Sequence, residues 1–350
     1  MTATVVTADC VLLVNPTSGK GRGRKYAERA EAVLAAAGRT VHTVVGASAA
    51  EAVHTARQAI AGGAGSLVVV GGDGMVHAAL PLVAGTGTAL GLIPAGTGND
   101  TARFLGVPRN DPEAAARVVL GGHTAAFDLG RIGASGVDAA AEAAGADPHW
   151  FATVLACGLD SKVNERANRM RRPRGSSRYT LALLAELAPF RAPEFRLELD
   201  GAAPVDRRCM LIAVGNGPSY GGGMMICAEA DPHDGRFQVT AVSEVRKSTL
   251  LRIFPRVFNG SHLTHPAVQV YQAGEIVLSE PGAAAGPGTE QASGSAPGTA
   301  AAASGVSIWA DGEYVGLLPA TVTAVPGALT AFVPGPAAVT KDRLGVTGVN

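Results

Sequence analysis

The sequence predicts an N-terminal α/β domain with a parallel sheet over residues 10–128 and a C-terminal, mostly antiparallel β domain over residues 129–335. Three observations carry this prediction. The chain has 350 residues, of which 47% are hydrophobic, enough for two cores. Its first part alternates short apolar runs with alanine-rich segments of helical length, the pattern of a parallel sheet covered by helices. Its second part has short apolar runs separated mainly by turn residues, which favours antiparallel strands.

The N-terminal elements follow from apolar runs that end at glycine, proline or asparagine. The predicted strands are CVLLVNP (10–16), TVHTVV (40–45), SLVVV (66–70) and ALGLIP (89–94). The predicted helices are RKYAERAEAVLAAAG (24–38), SAAEAVHTARQAIAGG (48–63), MVHAALPLVAG (75–85) and the short NDTARFLG (99–106). Ser48 is a candidate N-cap, and Gly38 a candidate C-terminal stop.

The C-terminal elements are mostly strands. The predicted strands are FRLELDG (195–201), RRCMLIAVGN (207–216), GRFQVTAVS (235–243), EIVLSE (275–280), VSIWADGE (306–313) and ALTAFVP (328–334). Helices are expected at RYTLALLAELAPF (178–190) and STLLRIFPRVFNG (248–260). Residues 134–149 and 281–305 look inserted; the second is low-complexity, and we expect a mobile loop there.

Composition excludes several classes of protein. The formal net charge is zero and the pI is near 7.1, which argues against nucleic-acid binding. The four cysteines form no CxxC pair, so neither a zinc site nor a disulfide framework is expected. The N-terminus lacks a basic signal-peptide region, and no apolar run approaches the roughly 18 residues of a membrane span. We expect a cytoplasmic protein that meets membranes at most peripherally, with a homodimer among the assemblies left open.

A glycine-rich turn between a strand and a helix predicts an anion site in VVVGGDGMVH (68–77). Free backbone N–H groups and the helix dipole favour phosphate there. Asp73 would repel phosphate unless a cation lies between them, and Mg²⁺ is the natural bridge. The alternative is a tight turn with a solvated aspartate. A further glycine loop, NPTSGKGRGRK (15–25), fits neither the P-loop nor the GxGxxG pattern.

Five segments together are recognisable: NPTSGKGRG, GGDGMVH, PAGTGNDTAR, VGNGPSYGGGMMICAEADPHDGRFQV and WADGEYVG. In this order and spacing they resemble the diacylglycerol kinase catalytic domain of bacterial lipid kinases, a family that includes sphingosine and ceramide kinases. The resemblance implies an NAD kinase/diacylglycerol kinase-like α/β domain and a β-sandwich domain enclosing a cleft. It also implies that the last strand, near 328–334, returns towards the first domain.

The resemblance implies that ATP, with Mg²⁺, lies against the glycine loops and that a membrane lipid hydroxyl enters from the β domain. The implied nucleotide contacts are Asn15, Ser18, Thr43, Gly71, Gly72, Asp73, Gly74, Met75, Val76, His77, Thr97, Gly98 and Asn99. Two positions depart from the family: Met75 stands where threonine is common, and Ala78 where glutamate is frequent. Backbone contacts survive both changes, so we expect ATP binding to persist.

Phosphoryl transfer needs a group that accepts the proton of the attacking hydroxyl. Glu313 of the DGE motif matches the family's proposed base, and Asp311 is then an orienting or metal-binding group. Asp73 is the candidate for organising Mg²⁺ at the ATP phosphates. Without the resemblance, DGE would be interpreted as a hairpin turn with two solvated acids.

The turn ADPHDGR (230–236) resembles a family site for a second divalent ion. The resemblance implies the Asp234 carboxylate and the carbonyls of Asp231 and Arg236 as ligands. The alternative is an ordinary Asp-Gly turn.

The arginine-rich segment Arg166–Arg178 is interpreted as a solvated helix end and loop or as a patch that contacts an anionic membrane. The predicted function is an ATP-dependent lipid kinase that converts diacylglycerol to phosphatidic acid. The alternatives are a sphingoid or ceramide kinase, an NAD kinase-like enzyme, and a non-catalytic lipid-binding relative.

Overall fold

The structure is a computed structural model that describes residues 9–46, 48–134, 148–170, 176–281 and 305–335. The predicted insertions at 134–149 and 281–305 lie almost wholly outside these ranges. Among the described residues, each helix is too short or too polar to cross a bilayer.

The N-terminal domain contains a parallel sheet in the order β2-β1-β3-β4. Its strands are β1 (Cys10–Val14), β2 (Val41–Val44), β3 (Ser66–Gly71) and β4 (Ala89–Pro94). The central strands β1, β3 and β4 are buried along their whole length, as expected of strands covered by helices on both faces. Their carboxyl ends therefore meet at one edge of the sheet, where the glycine loops follow.

Five helices connect these strands and lead into the second domain. They are α1 (Ser18–Ala36), α2 (Ala49–Ala61), α3 (Asp73–Val83), α4 (Asp100–Phe104) and α5 (Pro112–Gly121). The predicted cap at Ser48 is confirmed: its side chain accepts a hydrogen bond from the Glu51 backbone N–H. Helix α5, capped by Asp111, was not predicted.

The C-terminal domain is a two-layered, mostly antiparallel sandwich. Its strands are β5 (Thr124–Ala134), β6 (His149–Phe151), β7 (Val154–Gly158), β8 (Glu194–Leu199), β9 (Val205–Gly215), β10 (Phe237–Ser243), β11 (Val268–Ala273), β12 (Glu275–Ser279), β13 (Ser307–Ala310), β14 (Glu313–Leu317) and β15 (Ala320–Phe332). Strand β9 joins the layers, because it pairs first with β8 and then with β7 and β10. Phe151, Phe195 and Phe237 fill the core between the layers.

Three helices and two 3-10 turns cover one side of this sandwich. They are α6 (Leu159–Arg169), α7 (Ser176–Leu187), α8 (Lys247–Ile253) and the 3-10 turns Phe254–Asn259 and Ser261–Thr264. The two predicted helices correspond to α7 and to α8 with its 3-10 extension. Helix α6 was predicted only as a charged helix end.

Strand β15 connects the two domains. Residues 320–325 pair with β5 and β12 in the sandwich, and Ala331 pairs in parallel with Leu90 of β4. This one strand fixes the edge of the parallel sheet against the sandwich, so the loops after β1, β3 and β4 face the C-terminal domain.

Candidate active site

Three glycine-containing loops meet at the carboxyl ends of β1, β3 and β4. The Asn15 N–H donates to the Val70 carbonyl (3.0 Å), and the Ala95 N–H donates to the Gly71 carbonyl (2.8 Å). A Cβ atom on Gly72 would lie 3.0 Å from the Cα of Gly96. The loops are therefore in backbone contact, and only glycine permits this approach.

The first turn of α1 is wound irregularly. Gly19, Lys20 and Gly21 have positive φ angles of 57°, 65° and 87°. The unusual backbone places Lys20 against the cavity described below, where it is the one lysine or arginine among the described lining residues. Its ammonium group is suited to a phosphate.

Asp73, the first residue of α3, lies at the centre of the loops. Its Oδ1 accepts a hydrogen bond from the Thr101 N–H (3.1 Å). A Cβ on Gly98 would lie 2.9 Å from Asp73 Oδ2 and 3.2 Å from Asp100 Oδ2, so both carboxylates crowd the same glycine. Burial first, and then the Asp100 charge, raise the pKa of Asp73 to about 6. This concentration of negative charge favours a cation.

Asp100 is already held by the protein. Its carboxylate pairs with the Arg103 guanidinium and accepts a hydrogen bond from the Gly222 N–H (2.6 Å). Gly221–Gly223 belongs to the C-terminal domain, and all three residues have positive φ. Asp100 therefore ties the GGG segment of one domain to the third loop of the other.

Asp311 is buried between the domains and fully hydrogen-bonded. Its carboxylate accepts bonds from the Ala152 N–H (2.9 Å), the Thr153 N–H (2.8 Å) and the Thr153 hydroxyl (2.6 Å). His77 Nδ1 donates a longer bond of 3.4 Å. Burial alone would raise the pKa of Asp311, but these bonds outweigh it and hold the pKa below its usual range. These bonds hold the Asp311 carboxylate in one position.

Glu313 lies two residues further on, at the start of β14, and its carboxylate stands directly over Gly74. Burial raises the pKa of Glu313 above its usual value, against the opposing effect of His77. Burial lowers the pKa of His77, but the bond to Asp311 and the charges of Asp311 and Glu313 raise it, and the balance lies above the ordinary value. No hydrogen bond or ion pair from another described residue occupies the Glu313 carboxylate, so it can receive a proton.

Gly74→Ala is expected to disable the site without unfolding the protein. A methyl group at position 74 would overlap the Glu313 carboxylate and push it away. We expect turnover to fall by about 10²-fold, because misplacing a catalytic group by about 1 Å has that effect. Steady-state kinetics and thermal unfolding check this, with Gly121→Ala as a control, because a methyl group there would make only an ordinary contact 3.7 Å from His123. Wild-type turnover would show that Glu313 need not stand there.

A cavity of about 800 Å³ opens beside these groups and runs into the C-terminal domain. Its polar end is lined by Lys20, Asp73, Gly74, Thr97, Gly98, Asp100, Asp311 and Glu313. Its other end is lined by apolar side chains of α6, α7, α8, the 3-10 turn and the underlying strands: Leu159, Val163, Leu183, Met210, Val242, Leu250, Ile253, Phe254, Val257 and Phe258. One continuous cavity therefore joins the phosphate loops to an apolar chamber.

A largely buried polar cluster also lines the cavity. Asp160 accepts hydrogen bonds from the Tyr220 hydroxyl (2.7 Å) and from Asn164 Nδ2 (3.0 Å), and all three residues line the cavity. Burial raises the pKa of Asp160 to about 6.

The other residues implied as nucleotide contacts differ in where they lie. Thr97 and Gly98 line the cavity, whereas Met75 and Val76 are buried in α3 beneath it. Asn15 uses its Oδ1 to accept bonds from the Thr17 N–H and hydroxyl. Ser18 and Gly71 are neighbours across the loops. The Asn99 side chain is hydrogen-bonded to the Gly96 backbone. The Thr43 hydroxyl donates to Glu31 of α1.

The Asp231–Arg236 turn lies outside the cavity lining. The carboxylates of Asp231 and Asp234 are exposed and accept bonds from nearby N–H groups of the same turn, and Arg236 pairs with Asp200 (2.7 Å). The turn is anchored by Asp128, which accepts a bond from the Gly235 N–H (2.8 Å). The described residues hold no cluster of three or more His, Cys, Asp or Glu suited to a metal. A site with one carboxylate and carbonyls here stays a prediction.

Only part of the arginine-rich segment lies in the described residues. Arg166 pairs with Glu186, and Arg169 with Glu165 (2.7 Å), so their charges are largely neutralised within the protein. Arg171, Arg172 and Arg174 lie outside the described residues.

Lys20 and the Asp160 cluster were not predicted from the sequence as site residues. A lysine between two glycines directly after a strand was a usable signal for Lys20. Asp160, Asn164 and Tyr220 carried no local signal, because their proximity depends on how α6 packs on the sandwich.

Comparison with known proteins matches both domains. A model of the diacylglycerol kinase catalytic domain matches residues 9–132, and a model of the YegS C-terminal NAD kinase beta sandwich-like domain matches residues 153–333. A diacylglycerol kinase of Mycobacterium tuberculosis is 40% identical over 323 residues, which cover 92% of this chain and 94% of that protein. The chain belongs to the diacylglycerol kinase family. As a member of this family it is a lipid kinase, and as a kinase it uses ATP.

More distant members of the diacylglycerol kinase family agree. A diacylglycerol kinase of Bacillus subtilis is 24% identical over 268 residues, covering 76% of this chain and 84% of that protein. A protein of Serratia proteamaculans named probable lipid kinase YegS-like is 26% identical over 244 residues, which cover 66% of this chain and 72% of that protein. The crystal structure of a diacylglycerol kinase from Bacillus anthracis has a TM-score of 0.65 at 18% identity, covering 95% of this chain and 98% of that one. This last likeness shows a shared fold.

Proposed function

We propose that this protein transfers the γ-phosphoryl group of ATP to the free hydroxyl of diacylglycerol and so produces phosphatidic acid. The observation that supports the proposal is the single cavity that joins the phosphate loops and Glu313 to an apolar chamber. A soluble acceptor such as NAD would not need apolar walls built from α6, α7 and α8, whereas acyl chains would.

ATP would bind with its phosphates against the three glycine loops. The backbone of Gly74 and Gly98 lines the cavity and would offer N–H groups to phosphate oxygens, and Lys20 and Thr97 would supply side-chain contacts. Asn15, Ser18 and Thr43 remain proposed contacts to phosphate or ribose.

Mg²⁺ fits the carboxylates at the polar end. Asp73 Oδ2 lies beside Asp100 Oδ2 in an environment that raises the Asp73 pKa, so a cation would relieve the repulsion. Mg²⁺ commonly takes one or two carboxylates together with substrate phosphates. Asp73 would hold it, and the ion would neutralise phosphate charge. The turn at Asp231 and Asp234 is proposed for a second divalent ion.

The protein's own residues would then carry the transfer. The acceptor hydroxyl would enter the cavity that both Glu313 and the Asp160 cluster line. Its oxygen forms a bond to the γ-phosphorus while the bond from that phosphorus to the ADP oxygen breaks, and Glu313 receives the hydroxyl proton. Asp311 keeps His77 and the β13–β14 turn in place.

Incubation with radiolabelled ATP and a panel of acceptors tests the proposal. The panel contains diacylglycerol, ceramide, sphingosine and NAD, and products are separated by thin-layer chromatography. We expect the label mainly in phosphatidic acid. Asp160 could instead accept a bond from an amide or amine, so preferential labelling of ceramide or sphingosine would redirect the substrate assignment to those lipids. Labelling of NAD alone would contradict a lipid acceptor.

Leu183→Trp is expected to shorten the chamber. Leu183 of α7 lines the apolar end and is only partly buried, so a larger side chain can be accommodated by filling the cavity. Turnover of long-chain diacylglycerol should fall at least about tenfold more than turnover of dihexanoylglycerol, since lost acyl burial amounts to about 0.8 kcal/mol per CH₂. Kinetics across acyl lengths check this. Equal losses at every length would place the acyl chains elsewhere.

A further inference from the structure

We propose that α7, α8 and the following 3-10 turn form a docking face for an anionic lipid bilayer, with the mouth of the apolar chamber at its centre. The inference rests on the proposed function for the identity of the lipid that enters, but the docking face itself stands on exposed apolar side chains and charge.

Exposed apolar side chains are concentrated on these elements. Nine large hydrophobic residues are exposed in the described structure, and four of them belong to these three short elements: Leu181, Leu184, Leu251 and Phe258. They are 48%, 50%, 42% and 56% exposed. Single exposed hydrophobic residues are ordinary on a protein surface, but a group drawn from separate chain segments indicates a binding surface.

The elements lie side by side. The Lys247 ammonium, at the start of α8, donates to the Ala188 carbonyl just after α7. Leu183 of α7 and Leu250 of α8 pack on the same apolar cluster and line the same chamber. Each inward leucine has an outward neighbour in sequence, Leu184 and Leu251. The exposed leucines therefore flank the wall of the chamber.

Phe258 marks where the chamber opens. It lines the cavity, yet more than half of its surface is exposed. The mouth therefore lies beside the exposed apolar group, where a lipid could pass from a bilayer into the chamber without crossing water.

The basic residues beside these apolar side chains indicate that the docking face binds an anionic bilayer. Residues 246–265 contain four Lys or Arg residues and no Asp or Glu. Arg246, Lys247 and Arg252 are exposed, and neither Arg246 nor Arg252 forms an ion pair with any described residue. On α6, by contrast, Arg166 and Arg169 are paired with glutamates. An apolar face with an unpaired basic border is complementary to anionic headgroups above acyl chains.

Vesicle co-sedimentation tests the docking face directly. Vesicles are phosphatidylcholine with or without phosphatidylglycerol, and the double variant Leu184→Glu/Leu251→Glu is compared with wild type. Neither residue lines the chamber. Val45→Glu and Val205→Glu, at exposed valines outside this face, are the matched controls. We expect the double variant to lose at least about tenfold in binding and the controls to bind like wild type.

A second variant isolates the charge. Arg246→Gln/Arg252→Gln should weaken binding to vesicles that contain phosphatidylglycerol and leave the weaker binding to phosphatidylcholine unchanged. Thermal unfolding shows whether each variant is folded. If the Leu184→Glu/Leu251→Glu protein is unfolded, Leu184→Ser/Leu251→Ser takes its place. Wild-type binding by a folded leucine variant, equal loss in the valine controls, or no vesicle binding by wild type would overturn the docking face.

Turnover separates docking from chemistry. The leucine variants should phosphorylate dispersed dihexanoylglycerol like wild type but lose turnover of diacylglycerol embedded in vesicles. Equal turnover in both assays would overturn the proposal. Failure of wild type to phosphorylate either form would instead refute the proposed substrate, and the co-sedimentation result would still decide the docking face.

Discussion

Glu313→Gln is expected to lower turnover by about 10²–10⁴-fold while ATP affinity stays within about twofold of wild type. Glutamine keeps the size of the side chain over Gly74 but cannot accept the proton of the lipid hydroxyl. In a loose transition state this proton leaves late, so the base contributes less and we expect a loss of turnover towards the lower end of this range. Rapid-mixing kinetics and nucleotide-binding calorimetry measure the two quantities separately.

Two comparisons make the Glu313 result specific. Glu194→Gln, at another exposed strand start, should behave like wild type. Asp311→Asn should lose part of its hydrogen bonding to Thr153 and Ala152 and therefore lower stability as well as turnover. Normal turnover of Glu313→Gln, or loss of its ATP binding, would remove Glu313 from the role of base.

Asp73→Asn is expected to abolish turnover and at the same time stabilise the ligand-free protein at neutral and higher pH. Burial raises the pKa of Asp73 to about 6 in the folded protein, against 3.8 for an ordinary aspartate. The folded state therefore holds the extra proton between these values, and its stability falls as pH rises through the window from about 4 to 6. Removing the charge should restore about 1–3 kcal/mol above pH 7, since one pKa unit corresponds to about 1.4 kcal/mol.

Thermal unfolding between pH 4 and pH 8 measures this effect. The gain in the free energy of unfolding of Asp73→Asn over wild type should be small near pH 4 and reach its maximum above pH 7. Asp206→Asn is a control of opposite sign, because its hydrogen bond to Arg196 lowers the pKa of Asp206. Wild-type activity of Asp73→Asn would show that the role assigned to Asp73 is wrong. So would a stability gain over wild type that is no larger at pH 8 than at pH 4.

The N-terminal fold could be predicted because its signals are local. Buried strands such as Ser66–Gly71 and Ala89–Pro94 are continuous apolar runs, and the glycine loops that follow them mark both the turn and the proposed phosphate site. Asp73 and Glu313 lie within short motifs, so both could be named from the sequence.

The apolar chamber, which we propose binds the lipid, could not be predicted because its residues come together only through packing. Leu159–Arg169 is rich in polar and charged residues, which concealed a helix whose Asp160 and Val163 face a cavity. The contact of Asp160 with Tyr220 joins residues 60 positions apart. The chamber mouth likewise depends on how α7 meets α8, through Lys247 and Ala188.

Photo-crosslinking with a diacylglycerol that carries a diazirine at one acyl terminus tests the central claim most directly. The protein is illuminated with this lipid and Mg²⁺-ATP, and the adduct is mapped by mass spectrometry. The account predicts adducts on peptides that contain Val163, Leu183 or Leu250, with the mass of the phosphorylated lipid in wild type and of the unphosphorylated lipid in Glu313→Gln. Adducts confined to the N-terminal domain, or an unphosphorylated lipid in the wild-type chamber, would contradict it.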